Sequence, residues 1–237
     1  MSGQKTAVLM SGQFRTFAFC LNTQHWHVYR RYPDLQFFVV MQNTPEAPAG
    51  VQLLKDRYGA DRVHVRLIDD PTDLPAIHLS FGDYAPTVNA APHERLLLQH
   101  WYQNEVLKFF QASGYQADVV IRMRADIYFS NFDHAFQQVP DAVHSPYWGR
   151  FGGINDRFAI MSGRATQHYF GVYPKIQKLL DIGCPFHPES LSKASLEDGG
   201  IASIDTLKTV FTTYRADGNH RYPEITPDDT VHMVSQR

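Results

Sequence analysis

The stretch LQFFVVMQ, residues 35–42, constrains the fold more than any other. Side chains alternate between the two faces of a strand, and at the centre of this one neither face is polar. That is the pattern of a strand covered on both sides, as in a parallel sheet sandwiched by helices. TAVLM, residues 6–10, is a second short buried strand, and DRVHVRLID sets Val63, Val65 and Leu67 against His64 and Arg66 in a third. Helical segments fall between them. SGQFRTF turns into a helix running to about Tyr32, and VQLLKDRYG is a helix closed by Gly59. Strands alternating with helices predict βαβ units. The expected fold class is therefore α/β, with a mostly parallel central sheet flanked by helices in a Rossmann-like way. The 237 residues, 43% of them hydrophobic, suit a single domain with a substantial core.

Further along, HERLLLQHWYQNEVLKFFQASG is the clearest helix, with Leu98, Tyr102, Val106 and Phe109 at helical spacing and Gly114 ending it. DVVIRMRADIYF reads as one strand and NDRFAIMS as another. Pro174 should kink or split the helix of GRATQHYFGVYPKIQKLLDIG. PESLSKASLEDGG is a short helix between Pro188 and Gly199, and IDTLKTVFTTYRADG a late strand. Residues 70–92 read as a long ordered loop in which Phe81 and Tyr84 need burial, and the last fifteen residues as a surface tail.

Net charge is -2, so no basic field argues for nucleic acid. Two cysteines make no disulfide framework, which favours a reducing compartment. AVLM before Ser11 is too short for a signal-peptide core, and no run has membrane-helix length. The expectation is a cytoplasmic protein, with a peripheral membrane contact left open.

Four segments carry chemistry-bearing residues. In open α/β sheets ligands bind beyond the carboxyl ends of the strands. Arg122, Arg124 and Asp126 appear where DVVI finishes, two apart and so on one face if the strand continues. Two arginines can hold phosphates or fix the aspartate, and an aspartate can ligate a divalent cation; a salt-bridged strand end is the competing reading. After the first strand, Ser11 and Gly12 lead into a helix and Arg15 adds a positive charge, a place that suits an anion. It is neither a Walker loop nor a dinucleotide fingerprint, and an ordinary turn competes. In WGRFGGINDRFAIMS, Gly152 and Gly153 permit close approach to a ligand, and Asp156, after Asn155, can act as a general base. Arg157 can pair with it or with another carboxylate. In CPFHPESLSKASLEDGG, His187 and Glu189 flank Pro188 at a helix start, where Glu189 also suits the first turn. Glu197 and Asp198 at the helix end run against its dipole and need another reason.

AVLMSGQFRTF, DVVIRMRADIYF, GGINDRFAIMS and HPESL, in that order over most of residues 6–200, resemble the GT-A class of nucleotide-sugar glycosyltransferases, and within it a group of small bacterial and viral sugar transferases. The resemblance implies a single GT-A-like domain, with a nucleotide-binding half (6–130) and an acceptor-side half with a C-terminal tail (131–237). It implies a nucleotide-sugar donor at Ser11, Gly12 and Arg15 and a glycan or lipid-linked acceptor. Arg122, Arg124, Gly153, Asn155 and His187 would contact substrate. Asp156, with Glu189 second, would be the catalytic base. Asp126 matches the last aspartate of the Asp-x-Asp metal motif, which implies Mg²⁺ or Mn²⁺. Ala125 and Arg124 stand where a first aspartate is expected, so either the donor diphosphate carries the cation or Arg122 and Arg124 replace it. Trp148 and Tyr147 can stack on a sugar or fill the core. Two other classes stay open: a sulfo- or phosphoryl transferase using SGQFRT as its anion loop, and a non-catalytic nucleotide- or glycan-binding relative.

Overall fold

A computed structural model describes residues 3–77, 93–133 and 136–214. Residues 78–92, most of the expected loop with Phe81 and Tyr84, and the expected C-terminal tail lie outside them. The first strand, β1 (Lys5–Gly12), pairs in parallel with β2 (Asp34–Gln42) on one side and β4 (Val119–Met123) on the other. β3 (Val63–Ile68) extends the sheet beyond β2. Beyond β4 come β7 (Phe158–Met161), β6 (Ala142–Pro146) and β8 (Ala202–Leu207), giving the order β3-β2-β1-β4-β7-β6-β8. β7 is antiparallel to both its neighbours and β8 is parallel to β6, so β7 alone runs against the other six. The expected mostly parallel α/β sheet is what the chain forms.

The alternation of β1 and β2 divides two cores. Val8, Met10, Phe37, Val39 and Met41 face one side, with Phe17 and Leu21 of α1 (Phe17–His27) and Leu54 of α2 (Ala47–Tyr58). Ala7, Leu9, Phe38 and Val40 face the other, against Tyr102 and Val106 of α3 (His93–Ala112). This two-sided burial is why LQFFVVMQ has no polar centre. The first core also takes in Phe158 and Leu207, so one apolar body joins the two halves of the chain.

Pro174 does split its helix, into α4 (Arg164–Phe170) and α5 (Ile176–Asp181) with a 3₁₀ turn between. α6 (Pro188–Asp198) follows as expected, and Asp198 at its end has its reason: Lys175 and Lys178 lie 3.3 and 2.5 Å from its carboxylate. Two strand readings change. DVVIRMRADIYF is two strands, because the chain leaves the sheet after Met123 and pairs again as β5 (Ile127–Asn131) with β9 (Val210–Thr213) in a separate antiparallel ribbon. Arg122, Arg124 and Asp126 therefore do not share one strand face. The late strand likewise divides into β8 and β9, which belong to different sheets. Among the described residues no helix is long and apolar enough to cross a membrane.

Candidate active site at the carboxyl edge of the sheet

The chain proceeds from β1 outward to β2 and β3, then crosses back to β4 on the other flank of β1. The carboxyl ends of β1 and β4 thus border the point where the winding reverses, the position at which such sheets open a crevice. Ser11 and Arg122 meet there. The Arg122 guanidinium is buried and donates from Nη1 to Ser11 Oγ at 3.0 Å and, with longer bonds, to the carbonyls of Met123 and Asp156. Burial lowers its pKa to about 10. So placed, Arg122 joins three segments and supplies a fixed internal charge rather than a surface phosphate contact.

Arg124 and Asp126 occupy the turn after β4. Arg124 donates to both carboxylate oxygens of Asp126, from Nε at 2.9 Å and from Nη2 at 2.7 Å. Burial works against the Arg124 charge, but the facing carboxylate outweighs it and raises the pKa above the ordinary value. The turn is held from α1: the buried Gln24 amide nitrogen lies 3.1, 3.2 and 2.9 Å from the carbonyls of Arg124, Ala125 and Ile127. The Gln24 carbonyl accepts from Tyr29 at 3.0 Å. Asp126, expected to ligate a metal, is thus committed to Arg124 through both oxygens. Among the described residues, no group of three His, Cys, Asp or Glu side chains is placed to hold a metal ion. The described residues by themselves do not form a cation site.

On the β1 side, Gly12 has φ +119, and a Cβ there would meet nothing within 4 Å. The backbone is bare and open at that point. Arg15 is exposed and also left-handed, with φ 37, and its Nε donates to Gln13 Oε1 at 2.6 Å. Gln13 bonds Gln42, Gln42 donates to Asp70 at 2.8 Å, and Tyr102 of α3 donates to Asp70 at 2.7 Å. The ends of β1, β2 and β3 are tied together by this polar chain.

Because β7 runs in reverse, its first residues arrive at the same edge. Asp156 and Arg157 precede Phe158 there, and the α6 start brings His187 and Glu189 alongside. Arg157 lies 3.4 Å from Glu189 and 3.9 Å from Asp156, and His187 Nδ1 lies 2.9 Å from Glu189. Gln99 of α3 donates to Asp156 Oδ2. Asp156 Oδ1 is buried and accepts no hydrogen bond from the described residues. Burial favours a neutral Asp156, but Arg157, Arg124, the Gln99 amide and Arg122 together hold its pKa below the usual carboxylate range. Glu189 moves the other way: burial and the Asp156 charge raise its pKa, against the opposing pull of His187 and Arg157. Neighbouring carboxyls are thereby differentiated into an ionised and a more readily protonated one.

Asn155 is buried and structural. It donates to the Trp148 carbonyl at 3.2 Å and accepts from the backbone N–H groups of Arg157 and Phe158 at 3.0 and 3.3 Å. Gly153 faces α6 rather than a ligand: a Cβ would fall closer than 3.0 Å to the Glu189 and Ser190 backbone. Trp148 is core, its indole N–H donating to the Thr209 carbonyl at 2.7 Å. Sequence reasoning missed Gln24, Gln99, His100 and the Gln13–Gln42–Asp70 chain. A signal existed on α3, where Gln99, His100 and Gln103 interrupt the apolar stripe. His100 is fully buried, and burial, only partly offset by Asp156 and Gln103, lowers its pKa to about 4.

No family model and no curated protein matches the sequence. Solved structures similar to it include the apo form of the glycosyltransferase GlyE of Streptococcus pneumoniae TIGR4, with 11% identity, TM-score 0.45, and 85% of this chain and 45% of that one covered. The mannosyltransferase PcManGT of Pyrobaculum calidifontis, solved in complex with GDP-Man and Mn²⁺, has 11% identity and TM-score 0.45, with 85% and 54% covered. The chain thus spans about half the length of these proteins. The strand order, with its reversal of winding beside β1, is that of an open, mostly parallel α/β sheet.

Proposed function

We propose that the crevice transfers a sugar from a nucleoside diphosphate sugar to a hydroxyl of a glycan or lipid-linked acceptor. The observation that supports this reading is the pairing, on one sheet edge, of the open Gly12 backbone beside the Arg15 cation with an ionised carboxylate, Asp156, one oxygen of which has no hydrogen bond among the described residues. The donor diphosphate lies against the bare Gly12 backbone and Arg15, with Arg122 beneath as a fixed charge. The acceptor oxygen attacks the anomeric carbon and its proton passes to Asp156 Oδ1. The bond from that carbon to the diphosphate oxygen breaks, and the nucleoside diphosphate departs with the electron pair. A single displacement of this kind inverts the anomeric centre. Acceptor entry parts Arg157 from Asp156, a contact already longer than a hydrogen bond at 3.9 Å. Mg²⁺ or Mn²⁺ is assigned no protein ligand, since Asp126 is closed by Arg124.

A panel of nucleotide sugars and nucleoside diphosphates, followed by thermal shift and by nucleotide release, tests the reading. At least one donor is expected to raise the melting temperature. Asp156→Asn should keep that shift while losing turnover by about 10²–10⁴-fold. Full turnover in Asp156→Asn, or no shift with any nucleotide, refutes it.

A further inference from the structure

The loop between β6 and β7 displays one aromatic side chain that the core does not use. Phe151 is 54% exposed, whereas Trp148 in the same loop is 5% exposed. Its backbone is left-handed, with φ 42, and Gly152 follows at φ +81. The Gly153 N–H donates to the Arg150 carbonyl at 2.7 Å and closes the turn. Two successive left-handed central residues define the type I′ class, where Gly, Asn and Asp are favoured. A bulky residue there costs about 1 kcal/mol of backbone strain. Neither the turn nor the core is stabilised by placing phenylalanine at this position. Strain in a bulky residue that stays in solvent points towards a ligand.

The position is also rigidly held. Asn155 holds the Trp148 carbonyl, Arg157 Nη1 lies 3.5 Å from the Gly149 carbonyl, and Ile154 donates to the Glu189 carbonyl at 3.1 Å. The Phe151 ring stands 5.6 Å from the His187 ring, tilted by 53°. His187 in turn contacts Glu189, so Phe151 is one imidazole away from the paired carboxylates.

We propose that Phe151 is the shelf on which the acceptor sugar rests. A pyranose ring has an apolar face of C–H bonds and a rim of hydroxyls. Laid on the phenyl ring, it buries that face and turns its rim towards His187, Glu189 and Asp156. This rests on the sugar-transfer reading and extends it by naming the acceptor contact.

Saturation-transfer NMR with methyl β-D-galactopyranoside and methyl β-D-glucopyranoside tests it, each with UDP or GDP present. Ring C–H protons of at least one glycoside should saturate. Phe151→Gly should weaken that binding about tenfold, the loss of one aromatic contact. The nucleotide signal should be unchanged, and the variant should melt no lower than wild type, because glycine relieves the left-handed strain. Phe151→Trp should retain binding. Equal glycoside binding in Phe151→Gly overturns the proposal, as does a lower melting temperature, which would make the ring a packing residue. Loss of binding in Phe151→Trp also counts against stacking. If nucleotides bind and neither glycoside does, the shelf is wrong and the donor reading stands; if nothing binds, both fall.

Discussion

Replacing Gly153 by alanine isolates the seam between the 147–157 loop and α6. The Gly153 backbone is outside the left-handed region, so a methyl group there introduces no conformational strain. It does fall closer than 3.0 Å to the carbonyl group of Glu189 and the nitrogen of Ser190. These are backbone atoms in the first turn of a helix, with no rotamer to escape into. Forcing extra volume into such a contact costs about 1–3 kcal/mol. The adjacent Ile154–Glu189 hydrogen bond, 3.1 Å long, is lost or stretched in the process, adding about 1 kcal/mol. A total of about 3 kcal/mol lowers the melting temperature of a chain this size by about 6–12 °C. Gly152→Ala is the control. A Cβ there meets nothing within 4 Å, but φ is +81, so it should cost about 1 kcal/mol of strain alone. Thermal unfolding followed by circular dichroism, with urea titration alongside, measures both. If Gly153→Ala melts within about 2 °C of wild type, or if Gly152→Ala is the more damaging change, the packing account of this seam is wrong.

Gln24→Leu preserves side-chain volume but leaves the carbonyls of Arg124, Ala125 and Ile127 without their shared donor; it should lower the urea midpoint by the equivalent of about 3 kcal/mol with the slope unchanged. His100 has a folded pKa depressed from 6.5 to about 4. Its stabilisation is therefore complete above pH 6.5 and is lost as pH falls towards 4, about 3 kcal/mol across the window. The depressed Asp156 adds its loss only at still lower pH, and Glu189, with its raised pKa, opposes the trend by stabilising the fold when protonated. Urea unfolding of wild type and His100→Gln at pH 7.5, 5.5 and 4.5 should show a steep fall in the first and a flatter one in the second; parallel curves would clear His100 of the effect.

Local pattern made the sheet interior legible. β1 and β2 are written in apolar runs because burial on both faces leaves no freedom for polar residues. β3 alternates because it lies at the sheet edge, and α3 shows its period because one of its faces packs on the sheet. The break between β4 and β5 was not legible. DVVIRMRADIYF keeps a period of two from Ile121 to Ile127, and Ile121, Met123, Ala125 and Ile127 do all enter one core. What removes Arg124 from the sheet is the Gln24 amide on α1, about a hundred residues away in sequence. The site divides along the same line. Charged residues in a loop or at a helix start, such as Asp156 and Glu189, advertise themselves, and the structure gathers Asp156, Arg157, His187 and Glu189. Gln99 and His100 take their meaning from Asp156, in the segment before β7, which Gln99 bonds and whose charge acts on His100; a helix pattern does not display that. Phe151 was hidden among many aromatics. Its exposure and its backbone conformation set it apart from Trp148 and Tyr147, and the sequence displays neither.

The reversed direction of β7 has an evolutionary consequence. β6 ends and β7 begins on the crevice edge, so the segment joining them is a hairpin connection whose two ends lie close together. Insertions or exchanges at the turn of residues 149–152 need not re-route β1 and β4, which lead to Gly12 and Arg15 and carry Arg122. In the sugar-transfer reading proposed above, acceptor recognition can diversify there while the donor side of the sheet is inherited intact. A new loop must keep Asn155, Asp156 and Arg157 in place ahead of β7 and a residue as small as Gly153 where the backbone meets α6.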